Sequence, residues 1–193
     1  MIEYISGQIV RITPAYLIIE TSGIGYFVNI SLTTFSKLEK KSEYKLLIHE
    51  VIREDAHQLF GFAESEEREI FRLLISVSGV GASTARMMLS SLQSQDIEKA
   101  IAGSDVNMLK SVKGIGLKTA QRIIVDLKDK IGKVAGSDEI FAFSDNTNRE
   151  EALSALIMLG FAKSAVSKVL DKIVREQKNL TVEDIIRKAL KNL

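Results

Sequence analysis

The sequence predicts an α+β, multidomain chain: a small closed β-barrel, a helical domain built on a repeat, and a short helical tail. Three observations predict it. Apolar residues recur with period two from Ile2 to Phe62, the period turns helical at Glu64, and the helical stretch matches itself at an offset of 35 residues.

In residues 1–63 the runs YISGQIVRI, AYLIIET, GYFVNIS, YKLLIHEVI and HQLFGF are β-branched and aromatic. Pro14, Gly23 and Gly25 interrupt them and are expected to supply turns. Five short strands favour closure, because an open sheet of that size leaves unpaired edges, so an N-terminal OB-like β-barrel is expected. His49 and His57 fall inside strand runs, with no carboxylate at ligand spacing, and mark no metal site.

Residues 64–131 form the second domain. Ile70, Phe71, Leu74 and Ile75 share one stripe, and Ser65 ahead of Arg68 and Glu69 reads as a capped, acidic helix start. Helices continue to about Lys130. Residues 132–146, GKVAGSDEIFAFSDN, are rich in Gly, Ser and Asp and read as a flexible linker, although Phe141 and Phe143 sit oddly in one. Residues 147–193 then read as three short helices: Thr147 with Glu150 makes a capping box, Gly160 ends the first helix, and Thr181 with Asp184 caps the last. A core that small is marginal, which points to a domain kept for contacting a partner.

Composition narrows the chemistry. The 193 residues are 46% hydrophobic and carry 26 Lys+Arg against 25 Asp+Glu, so any electrostatic signal must be local. Without cysteine there are no disulfides, thiolate metal sites or thiol nucleophiles. The amino terminus, MIEYISGQIV, lacks the cationic-then-apolar pattern of a signal peptide, and no apolar run approaches the roughly 20 residues of a bilayer span. A cytoplasmic protein, with no membrane partner, is expected.

The repeat carries the functional argument. Leu74, Ser76, Val77, Gly79, Gly81, Thr84, Ala85 and Leu92 align with Leu109, Ser111, Val112, Gly114, Gly116, Thr119, Ala120 and Leu127. Val80 corresponds to Ile115, and Met88 to Ile123. Each copy is thus an apolar helix, a Gly-(Val/Ile)-Gly turn and a second helix: a tandem helix-hairpin-helix domain. The paired glycines allow a tight turn and a close approach, and the first amides of the following helix lack internal acceptors. Together with the positive end of the helix dipole, those amides suit one phosphate, independent of base sequence. GIGLKT is not a nucleotide-binding loop: that motif needs glycine directly before Lys-Thr, where Leu117 stands, and the other copy, GVGAST, has no lysine.

Charge separates the copies. Val106–Lys133 holds seven basic residues (Lys110, Lys113, Lys118, Arg122, Lys128, Lys130, Lys133) against Asp126 and Asp129, whereas Ala63–Asp105 has four basic and seven acidic. The second hairpin is expected to be the stronger anion site.

This order of parts, with VIREDAHQLFGF, SGVGAST and GIGLKTAQRIIVDLKDK, resembles the RuvA family, Holliday-junction-binding subunits of a bacterial branch-migration machine, over the entire chain. The resemblance implies a four-fold homotetramer holding four DNA arms in an open cross. It implies a tail that engages the RuvB ATPase, a role beside the resolvase RuvC, and neither cofactor nor catalysis of its own. Whether one tetramer or two enclose a junction stays open. The family's hairpin region corresponds to Gly79, Val80, Gly81, Ser83 and Thr84, and to Gly114, Ile115, Gly116, Lys118, Thr119 and Arg122. Its acidic pin corresponds to Glu54 and Asp55, and a RuvB-facing patch to Leu156, Leu159 and Phe161. Ser83 and Leu117 stand where relatives often carry lysine, which lowers the expected grip.

Two other classes fit the same parts. A helix-hairpin-helix glycosylase or nuclease needs a nucleophile or carboxylate cluster, which Asp126 and Asp129, followed by Lys130, do not make. An RNA-binding OB adaptor would differ by preferring structured RNA.

Overall fold

The computed structural model describes residues 1–131, 144–176 and 180–193. They fall into two compact units, Met1–Ala135 and Gly136–Leu193.

Five strands open the first unit: β1 (Tyr4–Ile12), β2 (Tyr16–Thr21), β3 (Ile24–Ile30), β4 (Glu43–Ile52) and β5 (His57–Phe62). They close as β1-β2-β3-β5-β4, with β3 and β5 parallel and the other described pairs antiparallel. This is the expected OB-like barrel, filled by Ile5, Leu17, Ile19, Val28, Leu46 and Ile48. Gly7 lets β1 press onto β2, for a Cβ there would stand 2.0 Å from the Glu20 carbonyl oxygen. Ser22 and Gly23, with φ of 51° and 79°, make the two-residue β2–β3 turn. Gly25, expected in that turn, pairs instead with Glu20 inside β3.

Between β3 and β4 lies a helix absent from the strand-only reading, α1 (Leu32–Leu38), capped by the Ser31 hydroxyl, which accepts from the Thr34 amide at 3.0 Å. Five helices complete the unit: α2 (Ser65–Ile75), α3 (Ala82–Ser91), α4 (Ser94–Ala102), α5 (Val106–Lys110) and α6 (Leu117–Ile131). Ser65 does not cap α2. The N-cap is Glu64, with no side-chain cap bond, and Ser65 is the first helical residue.

The barrel and the helices share one compact unit because α2 lies on β5. Phe60 and Phe62 join the helical core beside Phe71, with ring centroids 5.1 and 4.9 Å from it. At the same seam Glu67 is 2% exposed and accepts from the hydroxyls of Ser31 and Thr34, the latter at 2.7 Å. Thr34 in turn accepts from the Ala63 amide at 3.1 Å. The adjacent Arg68 pairs with Glu3 at 2.6 Å and donates to the Glu3 carbonyl at 3.1 Å. Helix α3 is tied to the barrel as well: Arg86 donates to the Ala15 carbonyl at 2.8 Å, Thr33 to the Leu89 carbonyl at 2.8 Å, and the Leu32 amide to Ser90 Oγ at 3.1 Å.

Among its described residues the second unit has three helices, α7 (Ser144–Met158), α8 (Lys163–Glu176) and α9 (Val182–Ala189), around Ala152, Leu156, Val166, Leu170, Ile173, Ile185 and Ala189. Thr181 caps α9 as expected, accepting from the Asp184 amide at 3.2 Å. Gly160, at φ 97°, ends α7, and the Phe161 and Gly160 amides close onto the Leu156 and Ile157 carbonyls at 3.2 and 3.0 Å. Helix α7 begins at Ser144, so residues 144–146 are helical and Thr147 stands inside the helix, not at its cap. Residues 132–143 of the expected linker, with Phe141 and Phe143, lie outside the described residues.

Burial pushes the Glu67 carboxyl above its ordinary value of 4.5, outweighing the hydroxyls that favour its charge. A raised folded-state value means that the native state binds the proton more tightly, so charged Glu67 detracts from stability as pH rises above about 4.5. Glu67→Gln should therefore gain on the parent between pH 4.5 and 7 in denaturant unfolding. Glu67→Ala, which strands two hydroxyl donors, should lose about 1–3 kcal/mol.

Candidate nucleic-acid interface

The two repeat copies fold into the same turn, bond for bond. Helix α2 ends as Ser76 bends its hydroxyl back to the Leu73 carbonyl (2.7 Å), and α5 ends as Ser111 does the same to Met108 (2.6 Å). Gly79 and Gly114 follow at φ 92° and 93°, a conformation that disfavours any side chain. The Val80 and Ile115 amides bond to the Val77 and Val112 carbonyls at 3.0 and 3.1 Å, and both side chains are buried in the helical core. Gly81 and Gly116 then lead into α3 and α6, whose first turns close with the Ala85 amide on the Gly81 carbonyl and the Ala120 amide on the Gly116 carbonyl, both at 2.9 Å.

This geometry leaves a mouth at each turn. Before Ala85 and Ala120, the leading amides of each helix, at Ala82, Ser83 and Thr84 and at Leu117, Lys118 and Thr119, have no carbonyl one helical turn behind them. Gly81 and Gly116 are exposed, and a Cβ on either would meet nothing within 4 Å, so each position faces open space. Ser83 and Lys118 are exposed at the mouths; Thr84 and Thr119 are half-buried. Leu117, half-exposed, gives its mouth an apolar lip. Ala82 and Leu117 supply leading amides that were not singled out in the sequence, although the residue after each second glycine is the signal. Lys113, exposed in the second turn beside Gly114, was counted only as charge.

The surroundings of the mouths differ. Lys110, Lys113, Lys118 and Arg122 are exposed about the second. At the first, the corresponding positions are Ile75, Ser78, Ser83 and Met87, none of them charged. The hairpins also touch: Arg122 of α6 donates through Nη1 to the Ser78 carbonyl, in the first turn, at 3.4 Å.

Glu54 and Asp55 occupy the apex of the β4–β5 hairpin, closed by the Arg53 amide on the Ala56 carbonyl at 2.8 Å. Both are exposed, and neither forms an ion pair among the described residues. In the tail, the three apolar candidates separate. Leu156 is fully buried in the three-helix core and offers no surface, Phe161 is half-buried against that core, and Leu159 is 62% exposed beside Met158 at 85%. Among the described residues no cluster of His, Asp and Glu could hold a metal, and no helix is long and apolar enough to cross a membrane.

Comparison with known proteins matches three consecutive family models: the RuvA N terminal domain over residues 1–61, a SAM-like helix-hairpin-helix tandem over 71–129, and the RuvA C-terminal domain over 147–193. Among curated relatives, proteins named Holliday junction branch migration complex subunit RuvA are 56% identical in Christiangramia forsetii, and 50% identical in Flavobacterium psychrophilum and Bacteroides fragilis. Each alignment spans 100% of both chains. With that coverage, and with barrel, paired hairpins and three-helix tail in the same order, this chain belongs to the RuvA family.

Proposed function

We propose that this chain is the non-catalytic DNA-binding subunit of a Holliday junction branch migration complex, holding four-way junctions open without regard to sequence while the RuvB ATPase drives migration. The observation that carries the reading is the pair of matching mouths, each aiming unpaired backbone donors outward from a helix N-terminus. Backbone donors fit phosphate oxygens and carry no base code, so the grip is structural rather than sequence-specific.

The roles follow from placement. Ala82–Thr84 and Leu117–Thr119 offer amides to phosphates, with Ser83, Thr84 and Thr119 adding hydroxyls and Lys118 a cation. Gly81 and Gly116 keep the approach clear. Glu54 and Asp55, at the hairpin apex, repel phosphates and keep crossing strands apart. Four copies assemble head-to-tail as a tetramer, one or two to a junction, in the cytoplasm, where RuvC takes part in the larger complex. The tail meets RuvB through exposed Leu159 and Met158, with Phe161 at the edge.

The direct test compares a labelled four-way junction with linear duplexes of the same and unrelated sequence, alongside native mass with and without the junction. Junction preference, indifference to sequence and a mass of four or eight chains support the reading. A preference for structured RNA, or strand cleavage in magnesium, contradicts it.

The glycines separate turn geometry from approach. Gly79→Ala and Gly114→Ala, forced to positive φ, should each lose about 1–2 kcal/mol of stability. Gly81→Ala and Gly116→Ala should keep their unfolding midpoints yet weaken junction binding, because the methyl enters the mouth.

If four of a tetramer's mouths hold phosphates, affinity should fall by about two orders of magnitude between 50 and 200 mM salt. Lys118→Glu should weaken binding to every sequence alike, and full affinity for that variant at moderate salt excludes the second mouth as a contact. Glu54→Gln with Asp55→Asn should bind as tightly or more so and change the migration rate, as followed by strand-exchange kinetics on a mobile junction.

A further inference from the structure

We infer that Arg122 is a positioning residue, a brace fixing the spacing of the two hairpin mouths, and not an independent phosphate contact. The inference rests on reading both mouths as phosphate sites. Arg122 projects from the helix that opens at the second mouth, yet its guanidinium bonds the carbonyl of Ser78, beside Gly79 in the first turn. The bond spans 44 residues and joins the two segments whose separation decides whether two phosphates can be held together. Arg122 is exposed, so no core depends on it.

The repeat shows that the tie is one-sided. At the 35-residue offset, Arg122 corresponds to Met87 and Ser78 to Lys113. A reciprocal brace would run from residue 87 to the carbonyl of residue 113, but methionine has no donor, and Met87 is 44% exposed. Two mouths held at a fixed spacing bind one DNA arm with the second contact effectively intramolecular, and a loosened pair loses that gain although each mouth is intact. The brace predicts a loss that appears only when both mouths are in use.

That dependence is measurable in the full-length protein. Junction affinity at fixed salt would be compared for the parent, Arg122→Gln, Ser83→Asp (which puts a carboxylate in the first mouth) and the double variant, with unfolding midpoints showing that all are folded. Arg122→Gln should weaken the parent about 3- to 10-fold, and should cost under about 2-fold once Ser83→Asp has disabled the first mouth. An equal loss in both backgrounds makes Arg122 an independent contact and overturns the brace, leaving the two-mouth reading in place. No loss in the parent overturns it too. If Ser83→Asp by itself changes nothing, the first mouth holds no phosphate and the brace falls with it.

Discussion

The placement of both hairpins depends on the seam where α2 meets the barrel, and one buried carboxyl group organises its polar contacts. Glu67, on the face of α2 turned to the barrel, is held by two hydroxyls that α1 and its cap provide, and one of these is fixed by the backbone at the end of β5. A charge in such a place is costly unless hydrogen bonds answer it, and the network that does so joins three segments of the chain: α2 through Glu67, α1 and its cap through Thr34 and Ser31, and the end of β5 through the Ala63 amide. The arrangement can be satisfied in few ways. With Arg68 reaching Glu3 from the next position, it sets the angle at which α2 leaves the barrel, and α2 leads directly into the first turn.

From that point backbone geometry takes over. A positive φ at Gly79 and again at Gly114 reverses the chain, the buried Val80 or Ile115 pins the reversal to the core, and the next helix starts with its amides facing outward. None of these steps uses a specific side chain at the surface. The first hairpin can therefore keep the same bond pattern as the second while having alanine and serine where the second has leucine and lysine. Shape is encoded in the shared glycines and apolar anchors, and charge is added separately.

Much of this was legible in the sequence because it is local. Period-two runs gave five strands, and the 35-residue repeat located both turns, because a turn that needs positive φ leaves glycine as its mark. What the sequence hid depends on distant partners. Helix α1 is only seven residues long, and its cap, Ser31, also serves Glu67, 36 residues away. Arg68 and Glu69 read only as part of an acidic helix start, and nothing in SEEREIF shows that the barrel covers Glu67 and Arg68. Ser65 matched a capping pattern one residue past the N-cap, and Thr147 stands three residues past Ser144, where α7 starts, because α7 extends back through polar residues that carry no apolar stripe. Leu156 and Leu159 are indistinguishable by composition. Only the closing of α7 at Gly160 puts one in the core and leaves the other outside.

The two hairpins thus divide the work unequally. Helix α3 commits Arg86 to the Ala15 carbonyl and the Leu89 carbonyl and Ser90 hydroxyl to α1, so the first mouth is fixed to the barrel at several points. Among the described residues α6 bonds within the helical domain instead, Arg122 to the Ser78 carbonyl and Lys128 to the Ser104 hydroxyl, and Lys118 stands exposed at its mouth. An exposed lysine adds attraction that salt screens, whereas a fixed amide adds orientation that salt screens far less. A rigid, weakly charged mouth beside a charged one therefore suits a protein that must meet DNA of any sequence and then hold it in one geometry. On the function proposed above, the second mouth governs encounter and the first governs alignment.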